Sequence, residues 1–200
     1  MKTINGLPCY IAEITDLEEG ILDISLVEDP AVKRDFVLFS QDKMNFSVQN
    51  EEKRIISGVV MLADTPIYRK SPSVGEYYII FTRDTIELMV EKMSLEGRLN
   101  NITLNYNGQL VEGVTLVELF IKDSSKGLNP SYLPDVTEGS LIASYKVENE
   151  DIWNLVKAGE FKGFSLSGLF TASPTLDEQP SDLDSILELL DQVKAKYSLK

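Results

Sequence analysis

A short capped helix runs directly into an alternating strand between residues 149 and 170, and this unit constrains the fold most. Asn149 is a typical helix-capping residue, and Gly159 is a typical helix stop. The apolar side of the helix consists of Ile152, Trp153, Leu155 and Val156. In the following strand, 164–170, apolar residues alternate with Ser165 and Ser167. Because strand side chains alternate between faces, both hydroxyls are predicted to share one face, opposite a buried one.

The rest of the core sequence alternates strand patterns with one longer helix. Strands are predicted over 55–62, 77–81, 102–104, 111–121 and 141–147. A helix is predicted from the acidic capping box of Asp84 and Glu87 to Gly97, with one stripe of buried side chains. The strands 55–62 and 77–81 are expected to pair around a loop over 66–75. These elements predict an α+β fold.

Composition divides the chain into four parts. Residues 1–50 are interpreted as an N-terminal arm, 51–172 as the main domain, 173–180 as a linker and 181–200 as an amphipathic helix. The helix carries a coiled-coil-like seam of Leu183, Ile186, Leu190, Val193 and Tyr197. This seam predicts self-association or contact with a partner, and packing of the helix on its own domain is the alternative.

Charge and composition exclude several function classes. The 19 basic and 32 acidic residues give a net charge of -13, which argues against binding nucleic acid or a membrane surface. The single cysteine excludes an internal disulfide, and the absence of histidine makes a transition-metal site improbable, so no metal or cofactor is expected. No apolar run approaches the roughly 18 residues of a membrane span. A cytoplasmic or encapsidated protein is therefore expected.

Two features could carry chemistry. Ser165 and Ser167 would present hydroxyls from a rigid strand, although such serines commonly form a solvated face. Glu118 stands alone in the otherwise apolar strand 114–121, where a carboxylate needs a partner or a role. A structural ion pair is the alternative for Glu118.

The segment Lys162-Gly163-Phe164-Ser165-Leu166-Ser167-Gly168 follows the tryptophan-containing helix and the turn Gly159-Glu160-Phe161. With a segment at 108–114, these motifs resemble the phage prohead serine proteases of the XkdF-like type, over about residues 53–170. The resemblance implies a β-rich, barrel-like sheet with flanking helices, similar to the prohead protease and herpesvirus assemblin fold, here followed by the C-terminal helix.

The resemblance also implies a catalytic site. Ser165 matches the nucleophile, Tyr106 occupies the position of the family histidine, and Glu118 falls near the third member. Asn105 and Asn107 are alignment alternatives to Tyr106. Only about one phenol in a thousand is ionised at pH 7, so a tyrosine cannot replace the imidazole as a base.

A Ser-Lys dyad is the other chemistry to consider. Lys162 would lie on the opposite face from Ser165, which leaves Lys146 on the preceding strand as the better candidate. Because no base is evident, the expected enzyme is inactive or very slow.

The expected function is a phage head-morphogenesis protein with a degenerate protease domain, serving as a structural or scaffold-associated capsid component. The resemblance implies capsid, portal or scaffold proteins as partners, with the host cytoplasm during assembly and then the prohead or virion as locations. The alternative is an active maturation protease that cuts scaffold and capsid proteins through Ser165.

Overall fold

The computed structural model describes residues 2–28, 53–71 and 74–175, and the backbone of 37–38. This part of the chain is mostly β-structure with two α-helices. The strands are β1 (Thr3–Ile4), β2 (Leu7–Glu13), β3 (Gly20–Val27), β4 (Val37–Leu38), β5 (Ile55–Met61), β6 (Ile67–Ser71), β7 (Gly75–Ile80), β8 (Ile102–Leu104), β9 (Val114–Ile121), β10 (Leu141–Val147), β11 (Gly163–Leu169) and β12 (Thr171–Pro174). The helices are α1 (Arg83–Leu95) and α2 (Glu150–Lys157).

The strands form three sheets. One has the order β1-β2-β7-β6, with β12 also paired to β2. The second has the order β4-β5-β10-β9, and the third the order β11-β3-β8. The composition of elements agrees with the α+β prediction. The expectation of a barrel-like sheet was wrong. Within the described residues, the hydrogen-bonded strands form three separate sheets, and none of them closes on itself.

The N-terminal residues, predicted as an arm over 1–50, supply strands to all three sheets. β2 pairs parallel to β7 and antiparallel to β12. β3 lies between β8 and β11, parallel to the first and antiparallel to the second. Described residues before position 28 are therefore part of the packed domain. The linker 173–180 begins inside β12, and its remainder and the helix 181–200 lie outside the described residues.

Several element boundaries differ from the sequence prediction. β5 pairs with β10 and β4, and does not pair with β7. The predicted loop 66–75 contains β6, which forms an antiparallel pair with β7. The N-cap of α1 is Thr82, whose hydroxyl accepts from the backbone N–H of Thr85 at 3.2 Å, so Asp84 lies in the first turn. β9 begins after Gly113, whose φ of +76° breaks the extended run that was predicted from residue 111.

One continuous core joins the sheets and helices. The α1 residues Ile86, Met89 and Met93 are fully buried in it. The ring of Tyr145 on β10 lies 5.2 Å from that of Phe164 on β11, centroid to centroid, so two sheets meet at this contact. Burying side chains of this size stabilises the fold by about 1.5 to 3 kcal/mol each.

An ion pair of Arg83 joins the start of α1 to the segment that follows β9. Arg83 donates to Glu87 on its own helix at 2.8 Å and to Asp123 at 2.7 Å. The Ser125 hydroxyl donates to the same Asp123 carboxylate at 2.6 Å. The Ser125 hydrogen bond, followed by that of Arg83, holds the pKa of Asp123 well below its usual range.

The depressed pKa predicts an acid dependence of stability. Asp123 contributes its full stabilisation above the pKa of an unfolded aspartate, about 3.9, and loses it as the pH falls towards the lower folded value. Asp123→Asn should therefore lower the free energy of unfolding at pH 7 and flatten its decline below pH 4. Urea unfolding at several pH values measures both effects. Glu91→Gln, at an exposed position of α1, is the control and should retain the wild-type acid dependence.

A second prediction concerns the close approach of β11 to β3. A Cβ at Gly168 would lie 2.6 Å from the backbone oxygen of Gly20, which a side-chain rotation cannot relieve. Gly168→Ala should destabilise the fold by about 1 to 3 kcal/mol, as overpacking does in other cores. The neighbouring Leu169→Ala removes a half-exposed side chain and should change the denaturation midpoint little. Equal midpoints for the two variants would contradict the predicted clash.

Candidate functional site

A row of hydroxyls crosses the three-stranded sheet β11-β3-β8. Ser165 on β11 is directly opposite Ser25 on β3, and Ser25 is opposite Thr103 on β8. Directly opposite residues share a face, with Cβ atoms about 5 Å apart. The Ser25 and Thr103 hydroxyls are hydrogen-bonded to each other. Their apolar neighbours Phe164, Ile24 and Ile102 belong to the hydrophobic core. The predicted alternation along β11 is therefore confirmed by the observed register.

Three hydroxyl groups on this face approach the carboxylate of Asp23. Its Oδ1 accepts from the Thr103 hydroxyl at 2.8 Å and from the Ser167 hydroxyl at 3.1 Å. The Ser25 hydroxyl reaches the same oxygen at a longer 3.5 Å. In the register, Ser167 is directly opposite Asp23. The strand that carries the family-like serine motif thus faces an acid from the N-terminal part of the chain.

A β-bulge interrupts the ladder immediately after this contact. The partner of Ser167 is Asp23, but the partner of Gly168 is Ile21, so Leu22 on β3 is the extra residue. Two side chains from the loop after α1 satisfy the backbone here. Asn101 donates to the carbonyl of Leu22 at 3.2 Å, and Arg98 donates to that of Ile21 at 3.4 Å. Bulges re-aim side chains and are common beside functional sites.

Ser165 itself is buried, with 3% of its surface exposed. Its hydroxyl has no hydrogen bond to a residue within the described ranges. A serine needs a base within hydrogen-bond reach to become a good nucleophile. The described surroundings of Ser165 provide neighbouring hydroxyls, and the Asp23 carboxylate lies two register positions along the sheet.

Tyr106 lies in the turn that follows β8, close to the same sheet. Its backbone N–H donates to the Ser25 hydroxyl at 3.2 Å, and Ser25 is the register partner of Ser165. Its φ is +58°, and half of its surface is exposed. Burial lowers the pKa of the Arg69 guanidinium, and electrostatic interaction with the Tyr106 phenol opposes that change. The turn therefore reaches the hydroxyl face through its backbone.

Glu118 belongs to a different cluster, in the sheet β4-β5-β10-β9. Its Oε2 accepts from the Ser144 hydroxyl at 2.7 Å, and Ser144 is in turn hydrogen-bonded to Ser57 at 2.6 Å. Both serines are buried, whereas Glu118 is at the surface. Tyr132 belongs to the same group. Burial, followed by the charge of Glu118, raises the pKa of its phenol, whereas hydrogen bonds with Ser144 and Ser57 act to lower that pKa. The hydrogen-bonded serine partner of Glu118 is thus Ser144.

The structure also shows the contacts of the two lysines that were considered as partners of Ser165 in a Ser-Lys dyad. Lys146 on β10 forms an ion pair with Glu148 at 2.9 Å, so its ammonium has a carboxylate partner. Lys162 is exposed just before β11, and its backbone N–H donates to the carbonyl of Val27 at 2.9 Å. Neither contact joins a lysine amine to the Ser165 hydroxyl.

Among the described residues, no three histidine, cysteine, aspartate or glutamate side chains are grouped so that they could hold a metal ion. The same part of the chain contains no helix with the length and apolar character that a membrane crossing requires. The hydroxyl face presents serine and threonine side chains and the Asp23 carboxylate.

Residues 43–173 match the family described as "Putative phage serine protease XkdF". This match covers more than half of the 200 residues. The chain belongs to this phage serine protease family. No curated protein and no solved structure matched the chain.

The matched XkdF region includes Ser165, Tyr106 and Glu118, but it begins after β3. Asp23 and Ser25 therefore come from outside the family segment, although they lie directly beside its serine strand. Sequence reasoning missed both residues. The signal was the alternation of Asp23 and Ser25 with the apolar Leu22, Ile24 and Leu26, which predicts one polar and one buried face.

The Ser57–Ser144–Glu118 contacts generate a stability prediction. Ser144→Ala leaves the buried Ser57 hydroxyl without one partner and should cost about 1 to 3 kcal/mol, the usual penalty for a stranded polar group. Adding Ser57→Ala removes that group as well, so the double variant should lose less stability than the sum of the two single variants. A double-mutant cycle by chemical denaturation measures this coupling. Strict additivity would mean that the two hydroxyls do not interact.

Proposed function

We propose that this XkdF-family protein acts in phage head morphogenesis through a protease domain that has lost the reaction of its family serine, and serves as a structural or scaffold-associated capsid component. Family membership supports a phage head-related role. The finer structural role rests on the environment of Ser165, which is buried and has no basic side chain bonded to its hydroxyl within the described ranges.

The main support for this proposal is that no basic side chain among the described residues is bonded to the Ser165 hydroxyl. The chain contains no histidine, and the turn at the aligned position presents the Tyr106 backbone N–H to the hydroxyl face. Removing the base of a catalytic triad lowers the rate by roughly a millionfold in subtilisin. A serine without such a base would leave capsid and scaffold proteins uncut during assembly.

The proposed partners are capsid, portal or scaffold proteins, met in the host cytoplasm and retained in the prohead or virion. The acidic balance of the chain, with a net charge of -13, favours contacts with basic protein surfaces over contacts with the genome. The seam of Leu183, Ile186, Leu190 and Val193 stays a proposed site of self-association and lies outside the described residues.

The second candidate is an active maturation protease, favoured by the description of the family as serine proteases and by the serine at position 165. It would require a base supplied from elsewhere. The two candidates differ in the fate of the chain, because a maturation protease is expected to be processed and lost from the particle.

The structural proposal predicts that Ser165→Ala has no effect on head assembly. In the phage or prophage that encodes the chain, this variant should yield particles with the wild-type protein composition, and full-length chain should persist in mature particles. Mass spectrometry of purified particles measures both. Deletion of the whole gene is the control and should abolish normal heads.

A defect in scaffold cleavage in this variant would contradict the structural proposal. Proheads that accumulate uncut scaffold only in Ser165→Ala would establish the protease candidate and overturn the structural role. Replacing the aligned residue by Tyr106→His is a further comparison, since histidine tolerates the left-handed backbone conformation of this turn.

A further inference from the structure

The hydroxyl face contains a second serine in a different setting. Ser167 is partly exposed, and its Oγ donates to Asp23 Oδ1 at 3.1 Å. Ser165, two residues earlier, is 3% exposed and has no hydrogen bond to a carboxylate among the described residues. Of these two serines on β11, Ser167 is therefore the one that solvent reaches and that an acid contacts.

Asp23 is held in a fixed position. Thr103, which is buried, donates to Oδ1 at 2.8 Å from the neighbouring strand. The adjacent bulge is braced by Asn101 and Arg98, whose side chains donate to the backbone of β3. A base that is held by packing and hydrogen bonds loses little free energy to reorganisation when it accepts a proton.

The bulge also lies directly beside Asp23, because the extra residue Leu22 is on β3. The ladder shifts register directly between Ser167 and Gly168, where β11 approaches the backbone of Gly20 closely. The bulged strand bends at such a shift, so the irregularity of the backbone falls on β3 beside Asp23. The Ser167 hydroxyl is thus at the irregular end of the sheet rather than in its middle.

We propose that Ser167 and Asp23 form a nucleophile and general-base pair that accepts acyl groups from peptide or ester carbonyls without histidine. This goes beyond the proposed function, which concerns the family serine Ser165. A carboxylate is a weaker base than an imidazole, so the pair reacts slowly.

The proposed reaction balances at each step. The Ser167 Oγ bonds to the carbonyl carbon while its proton passes to Asp23 Oδ1. The bond to the amine or alcohol breaks, and Asp23 returns the proton to that leaving group. Water then attacks the acyl-serine, gives its proton to Asp23 and releases the acid, with Ser167 recovering a proton from the same carboxyl group.

The chain offers a matched internal control. Ser173 donates to Glu13 at 2.5 Å, so it forms the same kind of hydroxyl-carboxylate pair at the surface, in a regular antiparallel register. This contact lacks the bulge and the buried Thr103 support. If a carboxylate alone were enough to activate serine, Ser173 would react as readily as Ser167.

The test uses the full-length chain and a fluorophosphonate probe, in which Ser167 Oγ would bond to phosphorus as fluoride leaves. Mass spectrometry of digested protein then maps the labelled serine. We expect labelling at Ser167 above that at Ser173, unchanged in Ser165→Ala and lost in Ser167→Ala. Asp23→Asn should slow labelling by roughly a hundredfold, the usual contribution of a general base, with circular dichroism verifying its fold.

Three outcomes would overturn this inference. They are an unlabelled Ser167 in the wild-type protein, equal labelling of Ser167 and Ser173, and an undiminished rate in folded Asp23→Asn. The first of these needs no variant, so a variant that fails to fold does not prevent a decision. Labelling confined to Ser165 would overturn the proposed function as well, whereas a chain without any labelled serine would leave that function standing.

Discussion

The pairing of β3 with β11 is the constraint on which the candidate site depends. β11 is at one end of the order β11-β3-β8, so β3 supplies its hydrogen-bonded neighbour in that sheet. The antiparallel register sets Ser165 opposite Ser25 and Ser167 opposite Asp23. A slip of one residue would turn the serines into the apolar interior and Phe164 out of it, so burial of the core face also fixes the hydroxyl face.

Two hydroxyl-carboxylate networks occupy different sheets, and their burial differs in a way that bears on function. In the Ser57–Ser144–Glu118 group, the serines are buried and the acid is exposed. That arrangement satisfies polar groups inside a sheet, but it offers a substrate no accessible hydroxyl. Around Asp23, the acid and Ser167 are both partly exposed, while Ser25 and Thr103 beneath them are buried. The second network therefore combines an accessible nucleophile with a fixed base.

A tyrosine at position 106, where the resemblance predicts the family histidine, is compatible with the fold for a physical reason. Position 106 is in a turn with positive φ, half exposed, and contributes a backbone N–H to the sheet. The Asn105 side chain, with Glu28, ties this turn to the end of β3 through hydrogen bonds of 2.9 and 3.2 Å. Since the turn is held by backbone and Asn105 contacts, the side chain at 106 can change without cost to the core.

Local sequence patterns determined the helices, most strands and the polar face of β11, because capping residues, glycine stops and alternation act within a few residues. Family membership was equally readable from the motif around Ser165, and the family model confirms it. Tertiary structure alone decided that residues 2–28 are built into the sheets, that β5 pairs with β10 and that Asp23 faces Ser167. The pairings of β5 with β10 and of β3 with β11 join residues at least 80 positions apart, and their register is set by mutual burial of apolar faces, which no local pattern encodes.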